Sequence, residues 1–124
     1  MSGEAVLIAD DDRGIRETMR AILERAGHYT VFEASDGDQA LAVLNQEQVD
    51  VILLDLAMPG RDGLGVLAEI QPPPPIVVVV SAFEYFSLDD VARQTQEKVF
   101  RYLRKPVPPQ ELLDSISSAL STSN

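Results

Sequence analysis

Asp10, Asp11 and Asp12 stand in a row directly after the apolar run Val6-Leu7-Ile8-Ala9. Asp55 stands after Val51-Ile52-Leu53-Leu54, Ser81 after the run Ile76 to Val80, and Lys105-Pro106 after Tyr102-Leu103-Arg104. Each polar group thus closes an apolar stretch, and if those stretches lie side by side the groups share one edge. Carboxylates crowded together repel one another and need a cation. All-oxygen ligation with few protein ligands favours Mg2+, which keeps several of its waters. Beside such a cation, an Asp55 carboxylate can act as a nucleophile and take a phosphoryl group as an acyl phosphate. Ser81 can donate a hydrogen bond to one phosphoryl oxygen, and Lys105 can pair with another as a point charge. Phosphoryl transfer needs mainly this positioning and electrostatics from the protein.

The elements that must hold these groups are legible. The apolar runs Val6 to Ala9, Thr30 to Phe32, Val51 to Leu54, Ile76 to Val80 and Val99 to Leu103 are short and mostly β-branched or aromatic, which predicts strands. Between them, Ile15, Met19, Ile22, Leu23 and Ala26 repeat at helical spacing, and Gly27 follows as a C-terminal cap. Asp36 and Gln39 form a capping-box pattern before Ala40, Leu41 and Leu44. Asp62-Gly63 opens a third helix with Leu64, Leu67, Ala68 and Ile70, and Ser87 a fourth with Leu88, Val91 and Ala92. Pro109 starts a last one carrying Leu112, Leu113, Ile116 and Leu120.

Strand and helix alternate five times, which predicts a parallel sheet with helices on both faces. The first, third and fourth runs are continuously apolar, as strands covered on both sides must be. The second and fifth admit Glu33, Arg101 and Arg104 and suit the edges. The expected order is 2-1-3-4-5, a flavodoxin-like (βα)5 fold. In such a sheet, ligands bind beyond the carboxyl ends of the strands, where Asp10, Asp11, Asp55, Ser81 and Lys105 fall.

The chain has 124 residues, 45% hydrophobic and 24% charged, which suits one folded domain, expected over residues 4–121 with a frayed tail at 122–124. With 10 Lys plus Arg against 20 Asp plus Glu, the net charge of -10 disfavours direct nucleic-acid or anionic-membrane binding. Cysteine is absent, which excludes disulfides, thiolate metal sites and a catalytic thiol. There is no secretory signal pattern and no apolar run long enough to span a bilayer, so a cytoplasmic location is expected. Pro72 to Pro75 reads as a stiff spacer, and His28 as a solvated residue after a helix end.

These stretches resemble the receiver domain of two-component response regulators. The matching pieces are Val6 to Asp12, Asp50 to Gly63 (DVILLDLAMPGRDG), Val79-Val80-Ser81-Ala82 and Tyr102 to Pro106, and the resemblance covers roughly residues 4 to 121. It implies that Asp55 is the phosphoacceptor, served by a sensor histidine kinase or a histidine phosphotransfer protein. Asp10, Asp11, Asp55 and the backbone carbonyl of Ala57 would hold Mg2+. Ser81 matches the switch hydroxyl, Lys105 the invariant lysine and Tyr102 the aromatic switch residue. The Lys105-Pro106 bond is expected to be cis. The resemblance implies a signalling domain that assists its own phosphorylation and dephosphorylation, not an enzyme. An effector or output domain is the expected recipient of the signal, and phosphorylation-dependent homodimerisation stays open.

Two features depart from the family pattern. A small Ala-Gly pair usually precedes the fifth strand, and here the segment reads Gln94 to Phe100. Ala57 and Phe83 occupy positions that tune dephosphorylation in the family, and both are apolar, so neither can orient a hydrolytic water, which implies unremarkable or slow self-hydrolysis. Two alternatives compete. A haloacid-dehalogenase-type phosphatase would need an Asp two residues after the nucleophile, where Ala57 stands. A degenerate receiver acting as a constitutive protein-binding module would lack required side chains, whereas all are present.

Overall fold

The structure, a computed structural model, describes residues 3–58, 60–82 and 98–122. Along the chain come β1 (Glu4–Ala9), α1 (Arg13–Ala26), β2 (Tyr29–Ala34), α2 (Gly37–Gln46), β3 (Val51–Leu54), α3 (Gly63–Glu69), β4 (Ile76–Ser81), β5 (Arg101–Arg104) and α4 (Pro109–Thr122). The five strands form one parallel sheet in the order β2-β1-β3-β4-β5. The helix expected around Leu88, Val91 and Ala92, and with it Phe83, lies outside the described residues. The helix α4 is therefore the fifth of the expected helices, and it takes in Thr122, the first residue of the expected tail.

Period-two alternation divides the core. Val6, Ile8, Val51, Leu53, Val78 and Val80 point to one face, where Met19 and Leu23 of α1 and Leu112, Ile116 and Ala119 of α4 cover them. Leu7, Ala9, Ile52, Leu54, Val77 and Val79 point to the other, beneath Ala40 of α2 and Val66 and Leu67 of α3. Burying each such Val, Leu or Ile contributes roughly 1.5–3 kcal/mol, so these central strands hold the sheet register firmly. The edge strands carry the mixed residues: β2 is half-exposed along most of its length, and β5 exposes Arg104.

Local signals fix the helix ends. Asp12, Asp36 and Asp62 are N-caps whose carboxylates accept from the backbone N–H of Ile15, Gln39 and Gly65. Gly27 closes α1 in the left-handed region at φ 86°. The capping box at α2 departs from its usual form, because Gln39 Oε1 accepts from Ser35 N–H and Ser35 Oγ–H instead of reaching the Asp36 backbone. The fifth strand begins at Arg101, two residues later than the apolar run suggested. Val99 instead packs sideways on the core, and the Phe100 N–H donates to the Val77 carbonyl.

Candidate acidic site at the carboxyl edge of the sheet

Register brings the strand ends together. Ala9 pairs with Leu54, and the Asp55 N–H donates to the Ala9 carbonyl at 2.9 Å, so Asp10 and Asp55 leave neighbouring strands side by side. Ser81 pairs with Arg104, and the Lys105 N–H donates to the Ser81 carbonyl at 2.9 Å. Residues scattered from position 10 to position 105 therefore meet at one edge because apolar strands of fixed register end there.

Asp55 is only 4% exposed, and both of its carboxylate oxygens are engaged. Oδ1 accepts from the Ala57 N–H at 3.1 Å and from Ser81 Oγ–H at 3.2 Å, and Oδ2 accepts from Lys105 Nζ at 3.0 Å. Asp10 is buried as well; its Oδ1 accepts from the Asp12 N–H at 2.9 Å. Lys105 Nζ stands 2.7 Å from Asp10 Oδ2 as an ion pair, but the contact lacks hydrogen-bond alignment, and that oxygen has no aligned donor. Asp11 is exposed, and one carboxylate oxygen from each of Asp10, Asp11 and Asp55 can gather within 4.8 Å of the others.

The electrostatics show a shortage of positive charge. Burial pushes the Asp10 carboxyl above its ordinary value, and the nearby Asp55 adds to this, against the opposing influence of Lys105 and the Asp12 N–H. Burial alone would lower the Lys105 ammonium, but the neighbouring carboxylates of Asp10 and Asp55 outweigh it and hold its pKa above the usual lysine range. One ammonium thus pairs with two buried carboxylates, and an exposed third stands beside them. Three carboxylates gathered beside a single ammonium, in an all-oxygen cluster, are what a small hard divalent cation would balance. The residues present fit Mg2+.

Every site residue expected from the sequence and described by the structure lies at this edge except Tyr102. That residue sits on β5, half-buried, opposite Val79 and packed against the core face under α2 and α3. Ala57 is exposed in the loop after β3, beside Asp55. Lys105-Pro106 is cis, as expected, and Pro72-Pro73 is cis as well, which nothing in the sequence reading indicated.

In the sequence, Gly63 reads only as a helix start. A Cβ there would lie 2.6 Å from the Asp55 carbonyl oxygen and 2.7 Å from Leu56 Cα, so only glycine lets α3 begin this close to the acidic loop.

A five-stranded parallel sheet with buried carboxylates, a hydroxyl and an ammonium at its carboxyl edge defines a class: doubly wound α/β domains with a charged site beyond the strand ends. The family is narrower. The model of the response regulator receiver domain matches residues 6–117, and the chain belongs to that family of two-component systems. Transcriptional regulatory protein GlrR of Escherichia coli (strain K12) is 37% identical over 118 residues, covering 95% of this chain and 26% of that protein. Sporulation initiation phosphotransferase F of Bacillus subtilis (strain 168) is 30% identical over 120 residues, covering 97% of this chain and 96% of that one. The chain thus spans about a quarter of the first relative and nearly all of the second. Among solved structures, a CheY-like receiver domain protein from Methanospirillum hungatei JF-1 superposes with TM-score 0.87 at 28% identity, covering 98% of this chain and 96% of that one. Response regulator TrrA from Thermotoga maritima, in complex with Mg(2+)-BeF, gives TM-score 0.80 at 25% identity, covering 94% and 98%. Receiver domains are signalling domains that bind Mg2+ at an acidic pocket and interact with kinases and output domains. Among the described residues no helix is long and apolar enough to cross a membrane.

Proposed function

We propose that the chain is a phosphorylation-controlled receiver in which Asp55 accepts a phosphoryl group from the phosphohistidine of a kinase or phosphotransfer protein. The observation that carries this reading is the environment of Asp55: a buried carboxylate with Ser81 on one oxygen and Lys105 on the other, beside a second buried acid. Asp10, Asp11, Asp55 and the Ala57 carbonyl would hold Mg2+. When bound, the cation offsets the negative charge brought in by the phosphoryl group.

A carboxylate oxygen of Asp55 attacks phosphorus, the P–N bond to the donor imidazole breaks, and that nitrogen takes up a proton. The product is an acyl phosphate on Asp55. Lys105, already 3.0 Å from the carboxylate, moves its ammonium onto a phosphoryl oxygen. Ser81 turns its hydroxyl from Asp55 Oδ1 to another phosphoryl oxygen, drawing the end of β4 towards the site. Tyr102, which pairs with Val79 of the same strand, changes its packing in response and alters the surface offered to an output partner. Beside the site, an apolar groove of about 600 Å³ runs between α1 and the loop after β5, with Ile15, Met19, Pro106 and Val107 in its lining along with Asp12 and Lys105. The donor protein would dock against this groove.

The test is intact mass after incubation with Mg2+ and acetyl phosphate, with Asp55→Asn in parallel. One phosphoryl adduct on the wild type, absent with EDTA and absent in the variant, supports the reading. If the wild type takes neither phosphate nor Mg2+-beryllofluoride, the constitutive binding module replaces it.

A further inference from the structure

We infer that Arg16 is a positioning residue for the cation site: it holds the backbone of Asp10 from behind, and Glu33 holds Arg16. The inference rests on the metal-binding role proposed for Asp10.

Asp10 lies just past the end of β1, where the strand ladder no longer serves its backbone. Its N–H still donates to the Ala34 carbonyl at the end of β2, at 3.0 Å. Its carbonyl accepts from Arg16 Nη1 at 2.7 Å. Asp10 is only 1% exposed, so without that donor the carbonyl would face a low-dielectric interior with its hydrogen bond unmade. The guanidinium reaches back from the first turns of α1, and its Nε pairs with Glu33 Oε1 of β2 at 3.2 Å. Both partners are largely covered, Arg16 at 15% and Glu33 at 30% side-chain exposure.

Arg16 therefore joins β2, the start of α1 and the strand end that carries the two site acids. Its charge is matched locally by Glu33, so its role at the site is geometric. The planar fork is what makes this possible, since Nε faces Glu33 while Nη1 faces the carbonyl. A lysine has one nitrogen on a flexible stem and cannot hold both partners in this arrangement. Residues behind metal ligands tune metal affinity in this way. Arg20 provides an internal control: it pairs with the other Glu33 oxygen at 2.6 Å and with Glu24, and its hydrogen bonds and ion pairs among the described residues do not include Asp10.

The experiment is calorimetric titration of the metal-free protein with MgCl2, for the wild type, Arg16→Met, Arg16→Lys, Glu33→Gln and Arg20→Ala. Urea unfolding in EDTA is measured on each. Arg16→Met and Arg16→Lys are expected to weaken Mg2+ binding by about tenfold or more while still folded. Glu33→Gln weakens it by less, and Arg20→Ala leaves it within about twofold of the wild type. A purely stabilising role would instead lower the urea midpoints and leave Mg2+ affinity unchanged, which overturns the inference. Full retention of affinity by Arg16→Lys also overturns it, because charge alone would then suffice. If the Arg16 variants do not fold, the comparison of Glu33→Gln with Arg20→Ala decides, and equal affinities count against the inference. A wild type that binds no Mg2+ would instead overturn the underlying metal-site reading.

Discussion

Fifty residues of chain separate Asp55 from Lys105, and their side chains meet at 3.0 Å. The same ammonium stands 2.7 Å from Asp10, so one lysine is the nearest cation to two buried carboxylates. It holds the two carboxylates together.

Removing that ammonium should therefore expose the repulsion. Lys105→Met is expected to lower stability in EDTA by about 2 kcal/mol, less than a fully buried pair because the lysine is 18% exposed. Saturating Mg2+ should recover much of the loss, since a bound ligand stabilises only the folded state. Urea unfolding with and without Mg2+ checks both statements. Equal midpoints for variant and wild type in EDTA would contradict them.

Asp10 gives a pH dependence with a defined sign. Its folded-state pKa lies above the unfolded value of 3.8, chiefly through burial. Between those two values the folded state binds more protons than the unfolded state, so stability from this group falls as pH rises through that window. Above it, the full cost of the buried charge remains. Asp10→Asn removes that cost, so the variant should be the more stable protein in EDTA at neutral pH. Its advantage should shrink as pH falls towards 3.8 and narrow again on adding Mg2+. Thermal melts across the pH range decide it, and a variant less stable than the wild type at neutral pH without metal would contradict the account.

Lys105 titrates at the other extreme. Its pKa is raised above 10.5 by Asp10 and Asp55, so its contribution is complete below the unfolded value and is lost as pH climbs through the folded one. The difference in stability between the wild type and Lys105→Met should thus hold steady up to about pH 10 and close above it. A gap already closing near neutrality would argue against the ion pairs.

Gly63 tests how closely the loop is packed. A methyl group at 2.6 Å from the Asp55 carbonyl cannot be accommodated without moving the backbone that carries Asp55. Gly63→Ala should cost about 1–3 kcal/mol in chemical denaturation and slow phosphate uptake in the same protein. A variant as stable and as fast as the wild type would show that the loop yields freely.

Ser81 is expected to separate acceptance from switching. Ser81→Ala leaves the Ala57 N–H and Lys105 on Asp55, so phosphate uptake should persist. The shift of Tyr102 ring resonances on adding Mg2+ and beryllofluoride should shrink or vanish in the variant. An undiminished Tyr102 response would remove Ser81 from the switch.

Much of this architecture was legible because strand-forming runs of fixed spacing end in polar groups. The apolar stretches Val51 to Leu54 and Ile76 to Val80 could only be covered strands, and once the order was set, Asp55, Ser81 and Lys105 had to share an edge. The helix starts at Asp36 and Asp62 were readable because capping is a local interaction. What stayed hidden depends on side chains that reach between elements. Glu33 read as an edge-strand charge, and only the structure shows it gripping Arg16. Nothing in the spacing of α1 marks Arg16 apart from Arg13 or Arg20, because its partner is a backbone carbonyl. Arg61 likewise ties the loop before α3 to Asp38 of α2 across 23 residues. The close approach at Gly63 was invisible for a related reason: a glycine beside a cap is common, and only its neighbour Asp55 gives this one its meaning.

The central claim is that phosphate goes to Asp55 and nowhere else. An acyl phosphate is reduced by borohydride, whereas phosphoserine and phosphothreonine are not. The decisive measurement is borohydride treatment of protein exposed to Mg2+ and acetyl phosphate, followed by peptide mass spectrometry. The account predicts a reduced residue at position 55 alone, dependent on Mg2+, and none at Asp10, Asp11 or Asp12. Reduction at another aspartate, or a phosphoryl group that resists borohydride, would contradict it.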